Sequence, residues 1–242
     1  MKAFKADLHI HTCLSPCADL EMSPQKIARQ AKFKELDILG ICDHNSAENT
    51  PAVVKAAGRF DILVLPGLEI TSQEEVHVLA LFDKVESALA LQEHVYSHLP
   101  GENDEKTFGM QVVVDAEGVV ISFNHRLLIG ASTLTLEAVV DAIHFLGGLA
   151  IASHIDREGF SLLGHLGFVP DHLSLDALEI SADISYGQAQ NKFQPRQPLI
   201  ASSDAHFLKD IGKAATTFLL KSGTVDEIKK AFLNERGRAV IH

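Results

Sequence analysis

Short apolar runs alternate along this chain with longer stretches of helical period. Residues 3–8 (AFKADL), 37–42 (DILGIC), 62–68 (ILVLPGL), 76–82 (VHVLALF), 149–153 (LAIAS), 176–181 (DALEIS) and 198–203 (PLIASS) predict buried strands. Helices are predicted over about 24–35, near 50–58, over 85–98, over 136–148 and near 224–234. The first has Ser23 as its cap and Pro24 at its first position; the fourth ends on glycine. GMQVVVDAEGVVISF (109–123) predicts a hairpin turning at Asp115 to Gly118. ATTFLL (215–220) and RAVIH (238–242) close the chain.

Strand–helix alternation of this kind predicts βα units, a mainly parallel sheet and the α/β class. Seven or so units in one domain-sized chain fit a closed or distorted βα barrel best, with an open doubly wound sheet second. No glycine-rich nucleotide loop follows the first strand, which weakens the open alternative. The expectation is one domain over residues 1–242, with residues 93–135, which hold the acidic GENDEK and the hairpin, as a small cap.

Composition narrows the classes of function. The 242 residues are 46% hydrophobic, and no run of about 18 apolar residues could span a membrane. MKAFKADLHIH lacks the apolar core of a leader, and the three cysteines (Cys13, Cys17 and Cys42) are an odd count. Both point to a cytoplasmic protein with reduced thiols. The net charge of -11 argues against stable binding of nucleic acid, although bound divalent cations would neutralise several carboxylates locally. Nothing reports on oligomeric state. The unusual number is 13 histidines.

In a parallel barrel the reactive groups lie at the C-terminal ends of strands. The first predicted strand runs into His9 and His11, the second into Asp43 and His44, and the third into Glu69. LAIAS runs into His154, followed by Asp156 and Arg157; Glu179 lies at the end of DALEIS; PLIASS runs into Asp204 and His206. His77 begins a strand, but it is eight residues from Glu69. A tight reversal centred on Gln73 would place the two directly opposite on antiparallel strands, with Cβ atoms about 5 Å apart. Two histidines at i and i+2 on an extended segment point the same way. A single buried histidine is ordinarily a hydrogen-bonded core residue; here one strand end after another carries the same chemistry. Imidazoles and carboxylates in this number fit two or three divalent transition-metal ions (Zn, Mn or Fe) with a bridging carboxylate.

DLHIHT, CDHN, GLEIT followed by EEVHVLALF, ASHID and SSDAH resemble, in order, the motifs of the PHP (polymerase and histidinol phosphatase) domain, from residue 7 to about 212. The resemblance implies a distorted (β/α)7 barrel of the PHP type with a small hairpin insertion. It also implies a two- or three-metal centre and phosphoesterase chemistry, closest to the small stand-alone members. The ligands it implies are His9, His11, His44, Glu69, His77, His154, Asp204 and His206, with Glu69 bridging. Many members carry an aspartate or histidine where Pro16 and Cys17 stand here. Either Cys17 replaces that ligand, or Asp19 reaches in, or one metal site is weakened.

Ester hydrolysis needs a nucleophile at neutral pH and relief of phosphoryl charge. A carboxylate-bridged ion pair supplies both, lowering the pKa of a bound water towards ~7 to give the attacking hydroxide. His9, Glu69, Asp204 and His206 would form the catalytic centre, with His206 or His154 a candidate proton donor. Arg157 and Arg126 are candidate phosphate clamps, because guanidinium forks match phosphate oxygens. Asp7 and Asp43 flank ligands and are candidates to orient them. His94 and His98 read as a solvated helix face, and His144, His165, His172 and His242 as structural or exposed. The expected activity is hydrolysis of a small phosphorylated metabolite or nucleotide. An amidohydrolase-type metal hydrolase and a non-catalytic metal-binding domain are the alternatives. Exonuclease action is disfavoured by the acidic balance.

Overall fold

The computed structural model describes residues 1–241. In chain order the elements begin with β1 (Lys2–Ile10), α1 (Pro24–Phe33), β2 (Ile38–Ile41), α2 (Thr50–Gly58), β3 (Leu63–Thr71) and β4 (His77–Leu81). They continue with α3 (Val85–Tyr96), α4 (Glu105–Phe108), β5 (Val112–Val114), β6 (Val120–Phe123), α5 (Leu136–Phe145) and β7 (Leu149–Ala152). The rest are α6 (Leu162–Leu166), β8 (Ala177–Ile180), α7 (Tyr186–Phe193), β9 (Leu199–Ala201), β10 (Thr216–Leu220), α8 (Val225–Phe232) and β11 (Ala239–Ile241). His242, expected to be structural or exposed, lies outside the described residues.

One sheet runs in the order β11-β10-β1-β2-β3-β4-β7-β8-β9. Pairing is parallel from β1 to β3 and from β7 to β9, whereas β4 is antiparallel to both its neighbours. A bridge between Ile10 and Ala205 brings the chain just past β9 back to the end of β1. The sheet is therefore nearly closed into the expected barrel, and the reversed β4 is its distortion. β10 and β11 extend antiparallel from β1.

The barrel interior is an apolar plug. Leu65 of β3, Leu79 and Leu81 of β4, Ile151 of β7, Ala177 of β8 and Ile200 of β9 form one buried cluster with Leu8. Each fully buried leucine contributes roughly 2 kcal/mol through loss of contact with water. Strand alternation places Glu69 on the face of Leu65, His77 on that of Leu79, and Glu179 on that of Ala177. Polar groups thus cap an apolar floor at one end of the barrel. Gly40 lets β2 lie against β1, since a Cβ there would sit 2.2 Å from the Leu8 carbonyl oxygen.

β1 carries one extra residue against β2 between Asp7 and Ile10. This bulge interrupts the alternation. Leu8 joins the interior cluster, while Ile10 packs with Met22 and Ile27 beneath α1. His9 between them turns to the mouth.

Two expectations about elements need correction. The turn between β3 and β4 pairs Thr71 with His77 and Glu69 with Leu79, two residues from the predicted register. Ser72 and Val76 close it through the Ser72 amide and the Val76 carbonyl (2.9 Å). An even slip preserves the face, so Glu69 and His77 meet diagonally rather than directly opposite. Helices α4, α6 and α7 were not legible as apolar periods, because among them only Leu162 and Ala189 are buried. α7 did carry a local signal: Ser185 and Gln188 form a capping box.

The hairpin of β5 and β6 forms as expected. Asp115 Oδ1 accepts from the amides of Glu117 and Val119, both at 2.9 Å. Buried Asn49 pins it to the barrel by donating to the Val112 carbonyl and accepting from the Val114 amide, both at 2.9 Å. Among the described residues no helix is long and apolar enough to cross a membrane.

Candidate metal centre

The ends of β1, β2, β3, β7, β8 and β9 and the start of β4 meet at the barrel mouth. His9 and His11 are fully buried, and their Nε2 atoms lie 3.1 Å apart. The other nitrogen of each ring has a defined partner. His9 Nδ1 lies 3.1 and 3.2 Å from the two oxygens of Glu179. Glu179 only accepts when ionised, so Nδ1 carries a proton and donates it. His11 Nδ1 lies 2.9 Å from Ser15 Oγ, whose hydroxyl donates to Asp43 Oδ1 (2.7 Å). Ser15 has one proton and gives it to Asp43, so it accepts from His11. Asp43 also receives the Thr12 amide and hydroxyl, both at 2.7 Å, which folds the segment after β1 around it. Both rings are thereby held with Nε2 towards the mouth.

Glu69, 1% exposed, stands at the centre. Its Oε2 is 3.4 Å from Nε2 of both His9 and His11 and 3.2 Å from His44 Nδ1. Its Oε1 is 2.9 Å from His77 Nδ1 and 3.3 Å from His154 Nε2. Asp204 Oδ1 completes the ring at 3.3 Å from His9 and 3.1 Å from His11. The ring of His206 stacks on that of His11 at 4.1 Å, and its Nδ1 donates to the Asp204 carbonyl (2.9 Å). Two of these residues, His154 (φ 28°) and Asp204 (φ 49°), occupy the left-handed backbone region disfavoured for side-chain-bearing residues. Strain of this kind gathers where a structure must aim a side chain, and here it turns both chains sharply off their strands into the mouth.

The protonation pattern suits ligation. Burial opposes ionisation of Glu69, yet the His77 and His9 rings beside it hold its carboxyl well below the usual range. Asp204 is likewise held low against burial by His9 and His11. Burial, aided by His206, brings His11 down to about 4, and burial takes His44 well below its ordinary value. Burial also pulls on His9, but the carboxylates of Glu179, Glu69 and Asp204 lift it well above the usual imidazole value. Ionised carboxylates and neutral imidazoles are the forms that bind cations, so Glu69, Asp204, His11 and His44 are ready to ligate, whereas at His9 a cation would take the place of the second ring proton.

Three overlapping donor sets have their ligand atoms within 4.8 Å of one another: His9, His11, Glu69 and Asp204; His44, Glu69 and His77; and His11, His44 and His206. Glu69 belongs to two of them, as a bridging carboxylate does. Glu69 Oε1, His44 Nδ1 and His77 Nδ1 are buried without an aligned hydrogen-bond partner. Buried polar atoms are rarely left so, and cations on these lone pairs would satisfy them. Imidazole and carboxylate donors suit transition-metal ions.

The remaining sequence candidates separate. Arg157 is at the rim, its Nη1 2.5 Å from Asp204 Oδ2. Arg126 is not brought there: its guanidinium lies over the Tyr96 ring at 4.1 Å, beside the hairpin. Cys17 lines the mouth, but it is exposed and its sulfur is not among the converging donor atoms. Asp19 turns away, its Oδ1 accepting from the Glu21 amide at 2.7 Å. Asp43 orients His11 through Ser15. Asp7 does not touch a ligand ring; it receives the Ser203 hydroxyl and amide (2.6 and 3.0 Å) and the Gly212 amide (2.8 Å), anchoring the segment that carries Asp204.

Sequence reasoning left several contributors unassigned. Glu179 was noted at a strand end but given no role, and Ser15 was not singled out. Asn45 was also missed: it donates to the carbonyls of Leu128 and Gly130 (2.9 and 2.8 Å) and accepts from the Thr71 amide (3.2 Å), tying the segment after the hairpin to the mouth. His144, read as structural or exposed, lies 2.9 Å from Asp176, which also receives the Ala150 amide. It links α5 to the start of β8 and is structural as expected.

Comparison with known proteins fits this geometry. The PHP domain model matches residues 7–168, and a PHP-associated model matches residues 196–236. An uncharacterised protein of Methanocaldococcus jannaschii is 31% identical over 100 residues, 38% of this chain and 58% of that protein. Endonuclease Q of Pyrococcus furiosus superposes with a TM-score of 0.69 at 20% identity, covering 99% of this chain and 58% of its own. Endonuclease Q in complex with a 27-mer duplex bearing an abasic lesion at its active site gives 0.70 at 20% identity, covering 98% of this chain and 58% of that one. This chain thus spans little more than half the length of these relatives.

These neighbours overturn the expectation of a small phosphorylated substrate with nucleic-acid binding disfavoured, since a chain of this fold accepts duplex DNA at its active site. The physical reason is that the net charge of -11 averages over the whole surface. A polyanion would meet only the mouth, where bound cations would set the local sign. Family and donor cluster together support a metal-dependent hydrolase. With about two thirds of its length matched by the PHP model and its sheet nearly closed around the expected strand ends, this chain belongs to the PHP domain family.

Proposed function

We propose that this chain is a metal-dependent phosphoesterase that cleaves phosphodiester linkages in nucleic acid. One observation carries the reading: the two oxygens of Glu69 divide the buried ring of histidines, one facing His9, His11 and His44 and the other His77 and His154, with Arg157 at the open rim. Divalent ions held by these residues would polarise phosphoryl oxygens and activate water. Glu69 would bridge them, and Glu179 and the Ser15–Asp43 pair would keep the His9 and His11 lone pairs aimed at them. Arg157 uses one N–H on Asp204, which leaves further donors of its fork for a phosphate oxygen. The DNA complex of a protein with the same fold supports a nucleic-acid substrate.

The test is incubation of purified protein, loaded with Mn or Zn, with end-labelled single-stranded and duplex oligonucleotides, one duplex carrying an abasic site. Discrete cleavage products that vanish in His9→Ala and on chelation are expected. Intact oligonucleotides in every metal, with turnover of amide or lactone substrates, would overturn the reading.

A further inference from the structure

The mouth opens into a cavity of about 380 Å³ whose wall joins histidines, carboxylates and Arg157 to two large apolar side chains, Phe160 and Ile129. Phe160 follows β7 by eight residues and is 46% exposed. Its backbone lies in the left-handed region (φ 55°), which is disfavoured for a bulky residue. Three contacts hold it there. Its carbonyl accepts from the His77 amide (2.9 Å), its amide donates to His165 Nε2 (3.1 Å), and its ring stacks on the His77 ring at 4.8 Å with 22° between planes. The flanking residues are fixed as well: Ser161 Oγ donates to the Arg157 carbonyl (2.5 Å) and caps α6 through the Gly164 amide (3.0 Å). An aromatic ring is thus held rigid, strained and half bare, three residues from Arg157 and against the ring that meets Glu69. Packing does not account for this, because a core phenylalanine would be covered.

We infer that Phe160 is a stacking platform for a nucleobase adjoining the scissile phosphate, so that the site selects nucleotide units over phosphates that lack an aromatic group. This rests on the reading of the mouth as a nucleic-acid phosphoesterase site. The chemistry is direct. Arg157 and the metal cluster would take the phosphate, and a flat π face at the cavity wall gives a base a surface that needs no particular hydrogen-bonding edge. His77 stacked behind the ring keeps it from turning, which lowers the entropy lost on binding.

The chain contains no tryptophan, so Phe160→Trp installs a single, selectively excitable tryptophan at the platform. In metal-loaded protein we expect deoxyadenosine 5′-monophosphate to quench its emission saturably, while deoxyribose 5-phosphate does not. By calorimetry, Phe160→Ala should shrink the preference of the protein for deoxyadenosine monophosphate over deoxyribose phosphate by roughly 5- to 150-fold, and Phe160→Tyr should restore it. Metal content, measured alongside, should match wild type in all three variants. If Phe160→Ala weakens both ligands equally, the ring merely supports His77 and the inference fails while the proposed activity stands. If wild type binds both ligands with equal affinity, no base is recognised and the inference fails. If wild-type protein binds neither ligand, both it and the nucleic-acid reading fall.

Discussion

Glu179 and His9, separated by 170 residues in sequence, meet at 3.1 Å in the barrel with both side chains fully buried. The carboxylate lies at the end of β8 and grips the ring nitrogen that points away from the mouth. It thereby fixes the orientation of the His9 ring and keeps Nε2 turned to the cluster, where a cation would displace its proton. A Glu179→Gln variant keeps the shape but loses the charge. We expect its metal affinity to fall roughly 10- to 100-fold in competition with a chelator, as is usual for partners that orient metal-binding histidines. Unchanged affinity would show that His9 is held by other means.

Ser15 links His11 to Asp43, with contacts of 2.9 and 2.7 Å. Ser15→Ala strips a donor from a buried carboxylate that burial already pushes up, and leaves the His11 Nδ1 proton unpaired. A loss of about 1–3 kcal/mol is expected by chemical denaturation, with weaker metal binding. Stability within a few tenths of a kcal/mol of wild type would refute the relay.

Four acceptor atoms of His9, His11, Glu69 and Asp204 converge within 4.8 Å, an arrangement that a cation relieves. Saturating Mn or Zn at a hundredfold excess over Kd should therefore stabilise the protein by about 2.7 kcal/mol, raising Tm by roughly 5–10 °C. Glu69→Gln should lose most of that rise. The check is thermal denaturation with and without metal.

Arg157 spends one arm on Asp204 and faces the cavity with the rest of its fork. Arg157→Lys keeps the charge but not the fork, so kcat/KM on an oligonucleotide should drop roughly 10- to 150-fold. Because Arg126 lies over Tyr96, Arg126→Lys should leave kcat/KM within about twofold, provided the hairpin stays folded. Equal losses in both variants would contradict the placement of the two arginines.

Away from the site, Arg238 holds Glu227 in a two-pronged ion pair at 2.7 and 2.9 Å, and both residues are buried. The Arg238 hydrogen bonds lower the Glu227 carboxyl to about 2 from an ordinary 4.5. A carboxyl depressed in the folded state adds stability that is present above its unfolded value and lost as pH falls through the folded one. The stability gap between wild type and Glu227→Gln should therefore be full above about pH 5 and close between pH 4.5 and 2. Denaturant titrations across that range test it; a gap undiminished at pH 2.5 would show that the loss is steric.

Much of this was written locally. Each predicted strand formed, because short apolar runs between turn formers leave few alternatives. The residue type that follows each run could simply be read off. HxH at the end of β1, DH behind β2 and DxH behind β9 needed no knowledge of sheet order. What blurred was whatever depended on a neighbouring strand. The β3–β4 register slipped by two because the turn closes through Ser72 and Val76, which parity alone cannot tell from a turn centred on Gln73. Arg126 looked like a phosphate clamp because its distance from the mouth depends on how the hairpin packs against Tyr96.

The sequence by itself determined the strand–helix alternation, the ends where donors stand and the supply of imidazoles and carboxylates, since these follow from period, propensity and side-chain chemistry. The tertiary structure alone decided that Glu179 backs His9, that Ser15 relays Asp43 to His11, and that Phe160 is held bare beside His77. Those pairings join residues whose proximity is set by barrel closure, the bulge in β1 and the reversal of β4. No local pattern encodes such features, because they arise only when the whole sheet packs at once.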